Sequence, residues 1–230
     1  MVAVNTFSRA NEALQHDLAA YANTLNSIVA TIPQAQALCD QVCKEARLAE
    51  ALLAFANGPV VSEISQIVFH LGNLWPYREQ AYARTSGFAD EIAEARRLRE
   101  EARRGALLMA RLGNDGLTNE VITCFDNIAV YLEQEQRLLE TCHSRIRPHT
   151  SNMDVTRKRL RLLAAALDAR LPVSPAQQEA LRSYNAAIAL LHAWESGVPL
   201  DASGVEVLDR CLELLKATDG MLLVQLVDAA

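Results

Sequence analysis

Val121, Phe125, Ile128, Leu132, Glu135, Leu139, Cys142 and Ile146 follow one another by alternate steps of four and three. Only a helix of about 3.6 residues per turn brings such positions onto one face, so this stripe confines its segment to a helix. Glu135 alone interrupts it. The same spacing recurs upstream, where Leu14, Leu18, Tyr21, Leu25, Ile28 and Ile32 form one stripe and Leu38, Val42, Ala49, Leu52 and Ala56 another. Downstream, Leu160, Leu163, Leu167 and Leu171 form a further one. No stretch of useful length alternates with the period of a strand. The expected fold is all-α: an elongated antiparallel bundle of about seven to nine helices with short connections and two long central helices.

Breakers and caps set the expected boundaries. The first helix runs from about Ser8 to Thr31, and Pro33 interrupts it or opens the next. A second ends at Asn57-Gly58, ahead of Pro59. Ser62 caps a short third helix to Leu71, and Pro76 opens another that Gly87 closes. The two long helices cover about Phe88–Leu112 and Thr118 to just before Pro148, joined by Gly113-Asn-Asp-Gly116. The next spans about Asn152–Leu171. Ser174-Pro-Ala-Gln177 is a capping box, and its helix ends at Gly197. Ser203-Gly-Val-Glu206 is a second box, leading a helix to Gly220, with Met221–Val227 as a final short helix. Residues 1–230 are expected to form a single helical domain, with 113–116 as the point of any subdivision.

Composition removes several classes of function. Half of the residues are hydrophobic and 22% are charged, which excludes a disordered chain. The net charge of −6 argues against a general nucleic-acid coat. The N-terminal segment lacks a basic start followed by an apolar stretch, so no secretory signal is visible. The longest charge-free run, between Asp17 and Asp40, is too polar for a membrane span. A cytoplasmic location is expected, although export by a route that reads no such signal would leave no mark. The odd set Cys39, Cys43, Cys124, Cys142 and Cys211 does not read as a disulfide framework, and all five fall in apolar-periodic segments as reduced core residues.

Several constellations bear on function. Between Thr141 and Arg161, the residues Arg145, Arg147, Arg157, Lys158, Arg159 and Arg161 face a single acid, Asp154. This cluster reads as a surface for an acidic partner, with Arg145, Arg147, Arg157, Lys158 and Arg161 as the contact residues. Cations near a helix C-terminus also have a plain structural reason, through the helix dipole. Cys39 and Cys43 share a helix face as two metal thiolates would, but no second ligand pair accompanies them. Glu140-Thr-Cys-His143 has the spacing of half a di-iron site and lacks the other half. Neither supports a metal, and no cofactor is expected. Glu94–Arg104 has a narrow apolar stripe, so that helix is solvated on most of its surface. Ala51–Tyr77 carries one charge, Glu63, and reads as a core hairpin. Trp75, and Trp194 near His192, read as packing anchors.

No nucleophile elbow, phosphate-binding glycine loop or zinc-protease motif is present, so the expected function is binding rather than chemistry. The first reading is a non-enzymatic scaffold or adaptor that recognises another protein, in the narrower form an acidic one, with homo-oligomer formation through a long helix as a further expectation. A second is a membrane-active effector or pore-former that uses the Ala51–Tyr77 hairpin, with the basic cluster on anionic lipid. A third is an enzyme or small-ligand binder with a pocket inside the bundle.

Overall fold

The computed structural model describes residues 2–58, 60–82, 87–113, 115–150, 152–168, 174–198 and 200–228. Among them the chain forms eight helices and no strand: α1 (Val2–Leu53), α2 (Val61–Gly72), α3 (Trp75–Tyr82), α4 (Ala89–Ala110), α5 (Gly116–Thr150), α6 (Met153–Asp168), α7 (Pro175–Glu195) and α8 (Ala202–Asp228). The all-α expectation and the helix count hold.

The chain divides into two compact units. A central unit comprises residues 30–144, and a terminal unit comprises 1–29 with 145–230. Helices α1 and α5 each contribute residues to both. The 113–116 loop, expected as the point of any subdivision, joins α4 to α5 within the central unit.

Several expected boundaries are corrected. Pro148 does not end the long helix, since α5 continues to Thr150, and Ser62 does not cap α2, whose N-cap residue is Val60. Pro33 does not break the first helix, and α1 runs unbroken for 52 residues. An internal proline forfeits one backbone hydrogen bond and crowds the preceding turn, at a cost of about 3 kcal/mol. Burial on both sides offsets this: Leu25 and Ile28 before it and Ala35 and Cys39 after it are all sealed from water. Gly220 likewise fails to end α8, which continues to Asp228. The start of α8 is capped by Asp201, whose Oδ1 accepts from the Ser203 amide at 2.9 Å, and not by Ser203. The Ser174 box forms as expected. Its hydroxyl accepts from the Gln177 amide at 3.3 Å, while Gln177 Oε1 accepts from the Ser174 amide at 2.8 Å. Gly197 closes the same helix in the left-handed conformation, at φ 72°. Its amide and that of Val198 donate to the carbonyls of Trp194 and Ala193 (3.0 and 2.9 Å), which satisfies the last turn.

The central unit packs small against large. Ala35, Ala46 and Ala49 of α1 and Ala95 and Ala102 of α4 are buried, and so are the larger Phe125, Ile128 and Leu132 of α5. Gly105 of α4 is the extreme case, since a Cβ there would stand 2.6 Å from the Phe125 ring. The terminal unit is organised by Trp194 of α7, fully buried and edge-on to Tyr21 of α1 with ring centroids 6.4 Å apart. Leu14, Leu18, Leu160, Leu191 and Leu208 of the same unit are buried as well.

Gly105→Ala is expected to destabilise the protein by about 1–3 kcal/mol through overpacking, despite its better helix propensity. Gly116→Ala, where a Cβ meets open space, should leave stability unchanged or raise it by about 0.5 kcal/mol. Urea denaturation of the two variants checks this contrast.

Candidate functional site

The basic cluster lies on the end of α5 and on α6, in the terminal unit, and helical geometry divides it. The inward face of α6 carries Met153, Thr156, Arg157, Leu160 and Leu167. Arg157 is therefore buried. Its NH2 pairs with Glu195 at 2.5 Å and with Asp154 at 3.3 Å. Its NH1 meets His192 Nδ1 at 2.9 Å. A guanidinium only donates, so Nδ1 accepts, and the neutral His192 ring carries its proton on Nε2. Arg157 thus ties α6 to α7. The remaining cations stay outside. Arg145 is exposed and donates to the Ser27 hydroxyl. Lys158 is 66% exposed and pairs with Asp154 at 2.6 Å. Its hydrogen bond holds the Asp154 carboxyl below the usual range, with Arg157 and Arg161 assisting. Arg161 is exposed. Arg159 pairs with Asp17 at 3.4 Å. The side chain of Arg147 lies outside the described residues.

Large apolar side chains share that outer surface. Val155 is 45% exposed and Leu162 is 72% exposed. With Lys158 they form one stripe at helical spacing, flanked by Arg161.

The central unit holds a second polar cluster, sealed from water. Glu135, the residue that interrupts the heptad stripe, has 0% exposure, and Arg78 of α3 has 1%. Arg78 Nε lies 3.0 Å from Glu135 Oε1, and NH1 lies 3.2 Å from the half-exposed Glu94 of α4. Neither N–H group points at its oxygen well enough to form a hydrogen bond, whereas NH2 donates to the Glu91 carbonyl at 3.0 Å. The Tyr82 hydroxyl reaches two oxygens, Glu135 Oε1 and the Ala35 carbonyl, the latter at 3.4 Å. Glu135 Oε2 is buried and has no hydrogen bond among the described residues. Burial raises the Glu135 carboxyl above its usual range against the opposing pull of Arg78, and raises the Tyr82 hydroxyl as well. The sequence marks Glu135 as a flaw in an apolar stripe. It does not mark Arg78, which follows the charge-poor segment by a single residue.

The other sequence candidates have structural roles. All five cysteines are free and buried. The hydrogen bond between Cys39 and Cys43, together with burial, raises the Cys39 thiol. His143 Nδ1 accepts from the Phe88 amide at 3.3 Å and so caps α4, whose N-cap residue offers no side-chain cap of its own. Glu140 accepts from Gln136 at 2.8 Å and from Arg96 at 3.5 Å. Among the described residues, no three His, Cys, Asp or Glu side chains are grouped as metal ligands would be. The polar helix α4 is laced with ion pairs, including Arg97 with Glu101 and Arg104 with Glu63 of α2. Within the hydrophobic hairpin, Ile64, Ile67, Val68 and Leu71 of α2 are buried in the central unit. No described helix is long and apolar enough to cross a membrane.

Open grooves line both units. One, of about 460 Å³, runs between α7 and α8 beside Arg182, Ser183, Ser203 and Arg210. Another, of about 580 Å³, lies between α1 and α5 along Gln34, Leu38, Gln41, Gln134 and Leu138. No protein family, curated protein or solved structure matches this chain.

Arg78→Ala should cost about 3 kcal/mol, because it removes a buried guanidinium from between Glu94 and Glu135 and leaves a cavity in the core. Arg96→Ala, which breaks only the exposed contact with Glu140, should leave the denaturation midpoint in place. Equal losses in the two variants would contradict the structural role given to Arg78.

Proposed function

We propose that the chain is a helical protein-interaction module, a scaffold or adaptor, that takes an acidic amphipathic partner on the outer face of α6. One observation carries the reading: Val155 and Leu162 stand exposed in a stripe that also holds Lys158 and is flanked by Arg161. Exposed apolar side chains ringed by charge are the usual makings of a protein contact. A surface for bare phosphate would have no use for Leu162. Cations beside it favour glutamate or aspartate on the partner and speed its approach. Arg145 adds a further exposed cation in the same unit. Arg157 serves this surface indirectly, by fixing α6 against α7 through His192 and Glu195.

A fluorescein-labelled helical peptide built of Glu and Leu tests the reading by polarisation. Binding is expected, and it should weaken as salt is raised. Lys158→Glu with Arg161→Glu should reduce affinity by about tenfold or more, and Leu162→Asp should do so with little change in salt dependence. Circular dichroism should show unchanged helicity in each. A peptide that binds equally well to all variants, or not at all, would remove this face from consideration.

A further inference from the structure

The buried cluster of the central unit poses a problem of proton count. The Tyr82 hydroxyl has one hydrogen but lies within reach of two acceptors, Glu135 Oε1 and the Ala35 carbonyl. If Glu135 is ionised, that hydrogen goes to the carboxylate, and the Ala35 carbonyl keeps only its bond within α1. Charge poses the same problem. Arg78 is one cation within 3.2 Å of two carboxylates, those of Glu94 and Glu135, so it is shared between them, and only Glu94 has a further cation beside it, Arg97 at 4.0 Å. Glu94 reaches water and can keep its charge, whereas Glu135 cannot. An ionised carboxylate sealed from water needs well-aimed donors on both oxygens. Glu135 has none on Oε2, and the Arg78 Nε–H beside Oε1 is misaligned.

We propose that Glu135 is a proton-binding site in the folded central unit, its carboxyl O–H donating to the Tyr82 hydroxyl, which in turn donates to the Ala35 carbonyl. One added proton then satisfies both problems: the relay from α5 through α3 to α1 is complete, and Arg78 is balanced by Glu94 alone. The groups that face Glu135 are Cys39 from α1, Arg78 and Tyr82 from α3, and Glu91 and Glu94 from α4. Of these only Arg78 favours the charged form by its charge, and Glu91 and Glu94 oppose it. The linkage has a definite sign. A glutamate whose folded value is raised stabilises the fold fully below the unfolded value, and this contribution is lost as pH rises through the folded one. The central unit is therefore expected to weaken on going from acid toward neutral pH and above, the reverse of what a buried Glu–Arg ion pair would give. This inference is independent of the α6 surface.

The test is a pH titration by nuclear magnetic resonance of the full chain, isotope-labelled at the glutamate side-chain carboxyl carbons. One resonance should titrate above those of the exposed glutamates, and it should be missing in Glu135→Gln. In Glu94→Gln, Arg78 loses its second carboxylate, and the elevated midpoint should move to lower pH. If Glu135→Gln does not fold, the response to Glu94→Gln, at a residue that reaches solvent, identifies the resonance. If no glutamate titrates above the exposed ones, Glu135 is an ion-pair partner of Arg78 and the proposal is wrong. If an elevated midpoint is indifferent to Glu94→Gln, the shared-arginine argument is overturned.

Discussion

A guanidinium shut away from water must find acceptors in the protein, and in the central unit this requirement organises four helices. Arg78 lies on α3, its acceptor carbonyl and one carboxylate come from α4, and the other carboxylate comes from α5. Tyr82, one turn further along α3, extends the same group to α1 through the Ala35 carbonyl. The surrounding core is built largely from alanine, leucine, isoleucine and cysteine, whose contacts have little direction. A polar group with fixed geometry supplies direction, because sliding any of the four helices along its axis would strand a buried charge or hydroxyl. Short α3 depends on this most. It has eight residues, too few to be stable as an isolated helix.

What could be read from the sequence follows from how local each signal is. The α7 cap needs only Ser174, Pro175 and Gln177, all within one turn, so it was legible. The heptad stripe on α5 was legible for the same reason, including the position of Glu135. The partner of Glu135 was not, because Arg78 is 57 positions earlier and nothing in its neighbourhood marks it as buried. Pro33 misled because its local cost is real and the burial that outweighs it comes from other helices. Asp201 and Ser203 were confused because both are good capping residues, and which one caps depends on where the chain enters α8.

The basic run on α6 shows how far helical phase decides a residue's role. Arg157 and Lys158 are adjacent and carry the same charge. A step of about 100° around the helix separates them. That angle puts one between α6 and α7, joined to His192, Glu195 and Asp154, and leaves the other in solvent. A charge count along the sequence treats the two alike. The phase was available from Met153, Leu160 and Leu167, whose apolar face includes position 157, but a cluster of six cations reads first as a surface.

The division of the chain also has a consequence in time. The central unit is one continuous segment, while the terminal unit is assembled from residues 1–29 and 145–230. During synthesis the central segment is complete while the last third of the chain is still to be made, and domains tend to fold as units when their residues become available. The opening residues, with Leu14, Leu18, Tyr21 and Leu25 on one face, must wait for α6, α7 and α8 to cover them. That apolar face of α1 is therefore made long before the helices that cover it, and stays open to other binders, a chaperone among them, until they follow.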